Sequence, residues 1–568
     1  MIRQVAQEGP ELEALSFKRA DFKEAAPAWE YSPQQQSCID WVLNGKGNAI
    51  IEAVAGSGKT STLLGMLEHM QGYVSVIMFN KPVQVEVEQK VRDRGYDKRV
   101  QVGTFHSFGL RAWRRVAPQV LLDGLGKDRA GYHKYDRIWD VMNGIERLPG
   151  IEPTVIPFEY QTFVKKLTSM AKLHAIGAAP AHPIDDTDQW YELVDHYDLD
   201  QAFADDLSAE PLGIKIDNGI RLAKQALRIS IRLAREVIDF DDMVYMPLFT
   251  ECRMFQVDWI LVDEAQDLNR SRRYLARKML NPYRGRLVAV GDSRQAIYGF
   301  SGADAASFAR IRTEFNCKDF PLTVTFRCPS KVVDLAKTWV DHIESKPGAA
   351  EGEVYRWSLP EFVKAEINPT DAVLCRNNAP LVSLAYALIR RGIACYIAGR
   401  DIGDGLIDLA SKWRVARLSA LVTKLQAYQE KEVAKLMAKK HEAQAETLAD
   451  KVETLLAIIE GMPKESTLAD LQQRVKTMFQ DESGQRRQVT VLSSVHKAKG
   501  KEWKRVFLLG RNVYMPSKYA RQDWHLEQEH NLMYVSVTRA LETFVDIDVP
   551  SRKLDKDAFT PPTPKEAK

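Results

Sequence analysis

The feature that most constrains this chain is the stretch Ile50–Leu67, IIEAVAGSGKTSTLLGML, an apolar β-branched run that breaks into Gly-Ser-Gly-Lys-Thr and resumes as a helical pattern. Two glycines flanking one serine let the backbone turn sharply with its amide N–H groups aimed inward. The helix that follows points its positive end at the same spot, so strand, turn and helix together make a phosphate cradle. The expected cradle is Ala55, Gly56, Ser57, Gly58 and Lys59, with Lys59 reaching the β/γ oxygens and Thr60 holding Mg2+ through its hydroxyl. Ser61 follows at the edge of the nucleotide site, and Ala53 stands where the strict pattern has glycine. A strand of this kind belongs in a parallel sheet covered by helices on both faces.

Other segments supply that sheet and a second one. NAIIEAV, YVSVIMFN, RVQVGTF, DWILVDE and RLVAVGD form one zone; FPLTVTF, DAVLCRN, IACYIAG, QVTVLSS, RVFLLG and TFVDIDV form another. Short β-branched runs alternating with helical stretches predict two α/β domains. The first spans 1–110 and 236–320, interrupted by a helical insertion at 111–235. The second spans 321–407 and 483–555, interrupted by a small helical insertion at 408–482, with a disordered tail at 556–568. In the small insertion Leu448, Val452, Leu455, Leu456 and Ile459 recur at helical spacing, which predicts a solvated antiparallel hairpin or a coiled-coil partner surface.

Composition narrows the function classes. A net charge of +3 gives no global basic signature, so a nucleic-acid groove has to be local. Six cysteines with no CxxC spacing indicate neither a zinc cage nor a disulfide framework, which suits a reducing cytoplasm. No run approaches the roughly 18 apolar residues of a membrane span, and the expected protein is cytoplasmic with no membrane partner.

A second motif fixes the chemistry expected at the cradle. WILVDEAQD is an apolar strand that ends in two carboxylates, Asp263 and Glu264. A carboxylate at a strand's C-terminal end can hold Mg2+, as expected of Asp263, and the next can orient or deprotonate the attacking water, as expected of Glu264. Together with Lys59 these residues predict hydrolysis of a nucleoside triphosphate.

DEAQD (Asp263 to Asp267), GDSRQAIYGFSGA (Gly291 to Ala303) and VHKAKGKEW (Val495 to Trp503) resemble motifs II, III and V of superfamily 1A helicases of the UvrD/Rep/PcrA group. YSPQQQ, GTFHSF, TFRCPS and LMYVSVTRA extend the resemblance as motifs Q, Ib, IV and VI, in the family's order. The resemblance implies two RecA-like motor domains, with ATP and Mg2+ as cofactors. It makes Arg327 and Arg539 arginine fingers, Gln295 a γ-phosphate sensor and Glu502 an acid near the ribose. Gln35 takes the adenine-reading position, with Gln34 and Gln36 one residue away on either side. Phe326 stands where the family commonly has tyrosine, as the expected base-stacking ring. Ser61 and Ser301 replace arginines usual in the family.

For DNA, the resemblance places Tyr298 and Phe300 at base-stacking positions and Thr104, His106 and His496 near the backbone, with Phe79 as a further candidate. Base–aromatic stacking is worth about 1–3 kcal/mol per base whatever the sequence. His496 sits beside Lys497 and Lys499, a setting suited to a phosphate contact. RAWRR (Arg111 to Arg115) reads as a solvated helix face and DFDDM (Asp239 to Met243) as structural. The implied protein is an ATP-dependent 3′→5′ single-stranded DNA translocase and helicase. It would act as a monomer on single-stranded and tailed or forked duplex DNA, with room for a loading protein. A translocase that displaces proteins with little unwinding, and a nucleotide-gated DNA-binding module, are the alternatives.

Overall fold

The computed structural model describes residues 30–79, 81–123, 133–197, 199–203, 210–250, 252–297, 307–391, 393–413, 415, 417–438, 442–463, 465–480, 489–520, 523–551 and 559. Tyr298, Phe300 and Ser301, and all of the 556–568 tail except Phe559, lie outside the described residues.

Two all-parallel sheets organise the chain. The first contains β1 (Asn48–Ala53), β2 (Val74–Ile77), β3 (Val100–Gly103), β4 (Trp259–Val262), β5 (Arg286–Gly291) and β6 (Cys317–Leu322), in the order β3-β2-β4-β5-β1-β6. The second contains β7 (Glu353–Ser358), β8 (Asp371–Cys375), β9 (Cys395–Ala398), β10 (Phe479–Gln480), β11 (Thr490–Ser494), β12 (Trp503–Leu509) and β13 (Ala540–Asp548), in the order β7-β13-β12-β8-β11-β9-β10. Every residue of β2, β4, β8 and β11 is buried, as expected for strands covered on both faces. With two parallel sheets and helical insertions, the fold is that of two RecA-like motor domains.

The strand FPLTVTF does not belong wholly to the second zone. Phe320 to Leu322 lie in β6, which pairs with β1 at the edge of the first sheet. Pro321 donates no ladder bond, and an edge strand is where that is tolerated; Phe320 packs on Trp41 at 5.7 Å. The remainder, Val324–Thr325, forms a short parallel ladder with Glu344–Ser345. β7 is an edge strand with no fully buried residue, so it carries no apolar run to announce it.

The two insertions differ from each other. The first builds its own core around Trp113, Phe163 and Trp190. Arg111, Arg114 and Arg115 face outward while Trp113 points in and donates to the Ala234 carbonyl at 2.9 Å. DFDDM anchors this insertion from below: buried Asp242 pairs with Lys134 and with Lys172 (2.8 Å), and Asp239 with Lys172 (2.6 Å). In the second insertion, helices Leu418–Ala438 and Glu442–Glu460 pack side by side, with Gln429 donating to Glu453 across them at 3.2 Å. The expected solvated hairpin is corrected here. Leu421, Leu425, Val452, Leu455 and Ile458 are all 0% exposed and join the core of the second motor sheet. Asp450 also accepts from the Asn378 amide N and from its Nδ2, both at 2.8 Å, tying the hairpin to the end of β8.

Among the described residues no helix is long and apolar enough to cross a membrane.

Candidate active site between the motor domains

The phosphate loop lies between β1 and the helix Lys59–His69. Gly56 (φ 74°) and Gly58 (φ 81°) occupy the left-handed region, which glycine enters without strain. There is no room for side chains either. A methyl group at Gly56 would meet Arg327 Cβ at 2.4 Å, and one at Gly58 would meet Gln35 Nε2 at 2.6 Å. Ser57 is buried with its hydroxyl unpartnered. Lys59, Thr60 and Ser61 are half-buried at the start of the helix. Left-handed glycines, an unpaired buried hydroxyl and a lysine at a helix N-terminus fit a bound polyphosphate.

The three candidate glutamines separate cleanly. Ser32 caps the helix Pro33–Asn44 in a capping box with Gln35, whose Nε2 donates to the Ser57 carbonyl at 3.4 Å. Gln34 instead bonds Thr323, and Gln36 bonds Asp40 on the surface. Of the three, Gln35 therefore reaches the phosphate loop.

Asp263 follows β4, and Glu264 adopts φ 52°, ψ 45°, a left-handed conformation that a non-glycine residue holds only under constraint. Burial and the neighbouring Glu264 charge push the Asp263 carboxyl up to about 7. Burial acts the same way on Glu264, but Lys59 and Lys499 outweigh it and hold that carboxyl at about 2. One acid of the pair is thus kept ionised while its neighbour stays easy to protonate. Thr60 and Asp263 have the oxygen donors a divalent cation such as Mg2+ takes.

The second motor domain closes directly onto this loop. The Phe326 amide donates to the Gly56 carbonyl at 2.9 Å, leaving the ring 40% exposed beside the loop. Arg327 pairs with Glu502 at 2.6 Å and donates to the Thr538 carbonyl at 3.4 Å. Glu502 is therefore found against Arg327. Arg539 is 1% exposed and donates to the Val535 and Lys501 carbonyls and to Thr538 Oγ1 at 2.9, 3.2 and 3.0 Å. Burial, then Arg327, lower its guanidinium to about 10, and it lies near enough to Glu264 to favour that carboxylate. Gln295 is buried, its Nε2 donating to Asp292 Oδ2 at 2.6 Å.

Sequence reasoning missed several groups here. Lys499, a neighbour of the candidate phosphate contact His496, turns inward. It donates to Asp267 and to the Gln295 carbonyl, both at 2.8 Å, with Glu264 at 3.8 Å. Buried Asp267 explains that turn, since its carboxylate needs a cation. Tyr534 and Asn531 reach across from the helix Asp523–Val537, Tyr534 to the Ala55 amide at 2.8 Å and Asn531 to the Ala296 carbonyl at 3.0 Å. Both sit in or beside LMYVSVTRA, but nothing in that string distinguishes them from core residues.

Phe79, Thr104 and His106 are brought together at the C-terminal ends of the first sheet, lining one pocket with Asp263 and Arg272. Thr104 caps the helix Phe105–Val116, accepting from the Ser107 amide at 3.2 Å and keeping its own hydroxyl hydrogen to donate. His106 stacks on Phe240, ring centroids 3.8 Å apart, and burial with Arg272 lowers its imidazole to about 3. Phe240 is 61% exposed and Arg272 lies 5.5 Å over the Phe79 ring, so both extend the groove. Phe240 stands between two aspartates in DFDDM, and nothing in that string marks its ring as exposed. His496 belongs to the other motor domain, where burial and then Arg376 push its pKa well down.

Another acidic cluster, Glu446, His525 and Glu529, has ligand atoms within 4.8 Å of one another. Arg376 already bridges it, donating to Glu446 and Glu529 at 2.8 Å each, so a guanidinium supplies the cation there.

Residues 32–316 match the UvrD/REP helicase N-terminal domain, and residues 410–545 match the UvrD-like helicase C-terminal domain. The chain belongs to the UvrD/REP helicase family. It is 24% identical to DNA helicase IV of Escherichia coli K12 over 59% of this chain and 50% of that protein. It is 23% identical to ATP-dependent DNA helicase PcrA of Bacillus subtilis over 54% of this chain and 38% of that protein. It is 24% identical to ATP-dependent DNA helicase UvrD2 of Mycobacterium tuberculosis over 88% of this chain and 76% of that protein. The chain thus spans half or less of the length of the first two relatives.

Proposed function

We propose that this protein is an ATP-dependent DNA helicase that moves 3′→5′ along a single strand, hydrolysing ATP in the cleft between its motor domains. The observation that carries this reading is the composite cleft. Lys59, Asp263 and Glu264 come from the first motor domain, while Arg327 and Arg539 come from the second and meet them across the phosphate loop. Hydrolysis at such a cleft depends on closure, which is what a motor requires. The names of the relatives, two of them ATP-dependent DNA helicases, support ATP and DNA as substrates. Direction rests on the resemblance of the motifs.

Glu264, held ionised, orients water for attack on the γ-phosphorus and takes its proton. Arg327 and Arg539 offset the charge that develops on the γ-phosphoryl oxygens. Thr60 and Asp263 would hold Mg2+, which neutralises the phosphate oxygens when bound. Gln35 and Phe326 flank the loop where the adenine would lie. The groove of Phe79, Thr104, His106 and Phe240 supplies stacking faces and a hydroxyl for a single strand.

The test is phosphate release from ATP with and without single-stranded DNA, on the wild type and on Glu264→Gln. Strong stimulation by DNA, falling by about 10²–10⁴ in the variant, is expected. Turnover indifferent to DNA would sink the motor reading. Strand displacement from duplexes with a 3′ tail but not a 5′ tail is the expected direction.

A further inference from the structure

Tyr534 is fully buried at the junction of the motor domains, on a second-domain helix, yet both hydrogen bonds of its hydroxyl go to the first domain. The Ala55 amide of the phosphate loop donates to the phenol oxygen at 2.8 Å, and the phenol donates to Asp292 Oδ2 at 3.3 Å. That same carboxylate oxygen takes the Gln295 Nε2 hydrogen at 2.6 Å. The Asp292 amide donates to Gln266 Oε1 at 3.1 Å, and Gln266 Nε2 in turn donates to Glu264 Oε2. Hydrogen bonds therefore run from the phosphate loop, through one hydroxyl of the opposite domain, to Asp292 and Gln295, and the Asp292 backbone amide carries the path on through Gln266 to Glu264.

We propose that Tyr534 is a positioning residue that couples cleft closure to the catalytic geometry. Its hydroxyl sets Asp292, and through Asp292 both Gln295 and Glu264, only while the two motor domains are in contact. When the cleft opens, the hydroxyl withdraws with its helix. The Ala55 amide and the Asp292 carboxylate then lose a partner together, and Gln295 and Glu264 lose the support that fixes them. A phenylalanine would fill the same volume without either bond, so the oxygen and not the ring carries the coupling. The inference rests on the ATPase reading above and adds to it the group by which one domain senses the other.

The experiment compares the full-length wild type, Tyr534→Phe, Asp292→Asn and the double variant in steady-state ATP hydrolysis with saturating single-stranded DNA. Tyr534→Phe is expected to lower kcat about tenfold with KM for ATP changed less than about twofold, as for a lost hydrogen bond that leaves a buried acceptor unsatisfied. The double variant is expected to fall no further than the worse single variant, because the two residues act as one unit. A wild-type kcat in Tyr534→Phe overturns the inference, as do additive losses in the double variant. If the wild type itself shows no DNA-stimulated turnover, the ATPase reading fails, and small-angle X-ray scattering of the nucleotide-free proteins decides separately whether the Tyr534 hydroxyl senses domain contact by bonding across it. A larger radius of gyration in Tyr534→Phe than in wild type upholds that sensing; identical scattering curves reject it.

Discussion

The two motor domains share a parallel-sheet plan but bring different groups to their common cleft. The first offers a phosphate loop and a pair of acids, Asp263 and Glu264, at the end of β4. The second offers cations, Arg327, Arg539 and Lys499, on loops after its own strands and helices. Neither half holds a complete set. The electrostatics show the dependence: Glu264 is kept ionised by Lys59 from its own domain and by Lys499 from the other. On the ATPase reading proposed above, a site divided in this way would make hydrolysis conditional on domain contact, which a single-domain ATPase of the same chemistry would lack.

The sharpest way to test that division is to remove a cation of the second domain alone. Arg327→Ala should leave ATP binding within a few-fold of wild type, because Lys59 and the loop amides are untouched. Single-turnover hydrolysis should fall by about 10³–10⁵, the range for a trans-supplied arginine. Glu502, its partner at 2.6 Å, is about half exposed and is left in contact with water rather than stranded. Loss of binding in proportion to loss of turnover would mean that Arg327 serves the ground state, and the division of labour drawn above would be wrong.

The insertions separate the two halves a second time, with an effect in the next range down. The first insertion has its own core, whereas the second lends Leu421, Leu425, Val452, Leu455 and Ile458 to the sheet it interrupts. Leu455→Ala should therefore cost about 2–5 kcal/mol and should speed amide hydrogen exchange in β8 and β11 as well as in the hairpin. Phe163→Ala should loosen the first insertion while leaving exchange in β4 and β5 unchanged. Exchange confined to the hairpin in Leu455→Ala would show that the merged core is an accident of packing.

Legibility in the sequence followed the same local-versus-distant line. The phosphate loop was readable because its glycines answer to backbone demands set within six residues, Gly56 and Gly58 both having positive φ. Asp263 and Glu264 were readable because a buried strand must end before charge begins. The placement of Cys317–Leu322 was not, since nothing in a six-residue run says which sheet edge it will join. Nor was the burial of the small insertion, because Leu455 at helical spacing looks the same under solvent as under a sheet. Lys499 and Tyr534 have partners more than two hundred residues away, and only the folded chain brings those partners near.

The groups proposed to face DNA give the smallest and most specific contrast between the halves. In the first domain His106 and Phe240 are stacked, with the Phe240 face 61% exposed beside Phe79 and Arg272. In the second, His496 lies near Arg376, His525 and Lys497, and burial, then their charges, push its pKa down. Phe240→Ala should weaken single-stranded DNA binding by about 1–3 kcal/mol, the worth of one stacked base. Its salt dependence should stay parallel to wild type, because no phosphate-neutralising charge is removed. Arg272→Ala, by contrast, should flatten the salt slope by about one counterion if the guanidinium also meets a phosphate. A fluorescence titration with a labelled oligonucleotide at several salt concentrations separates the two. Equal affinity in Phe240→Ala would move the stacking platform out of this groove and leave the first domain with backbone contacts alone.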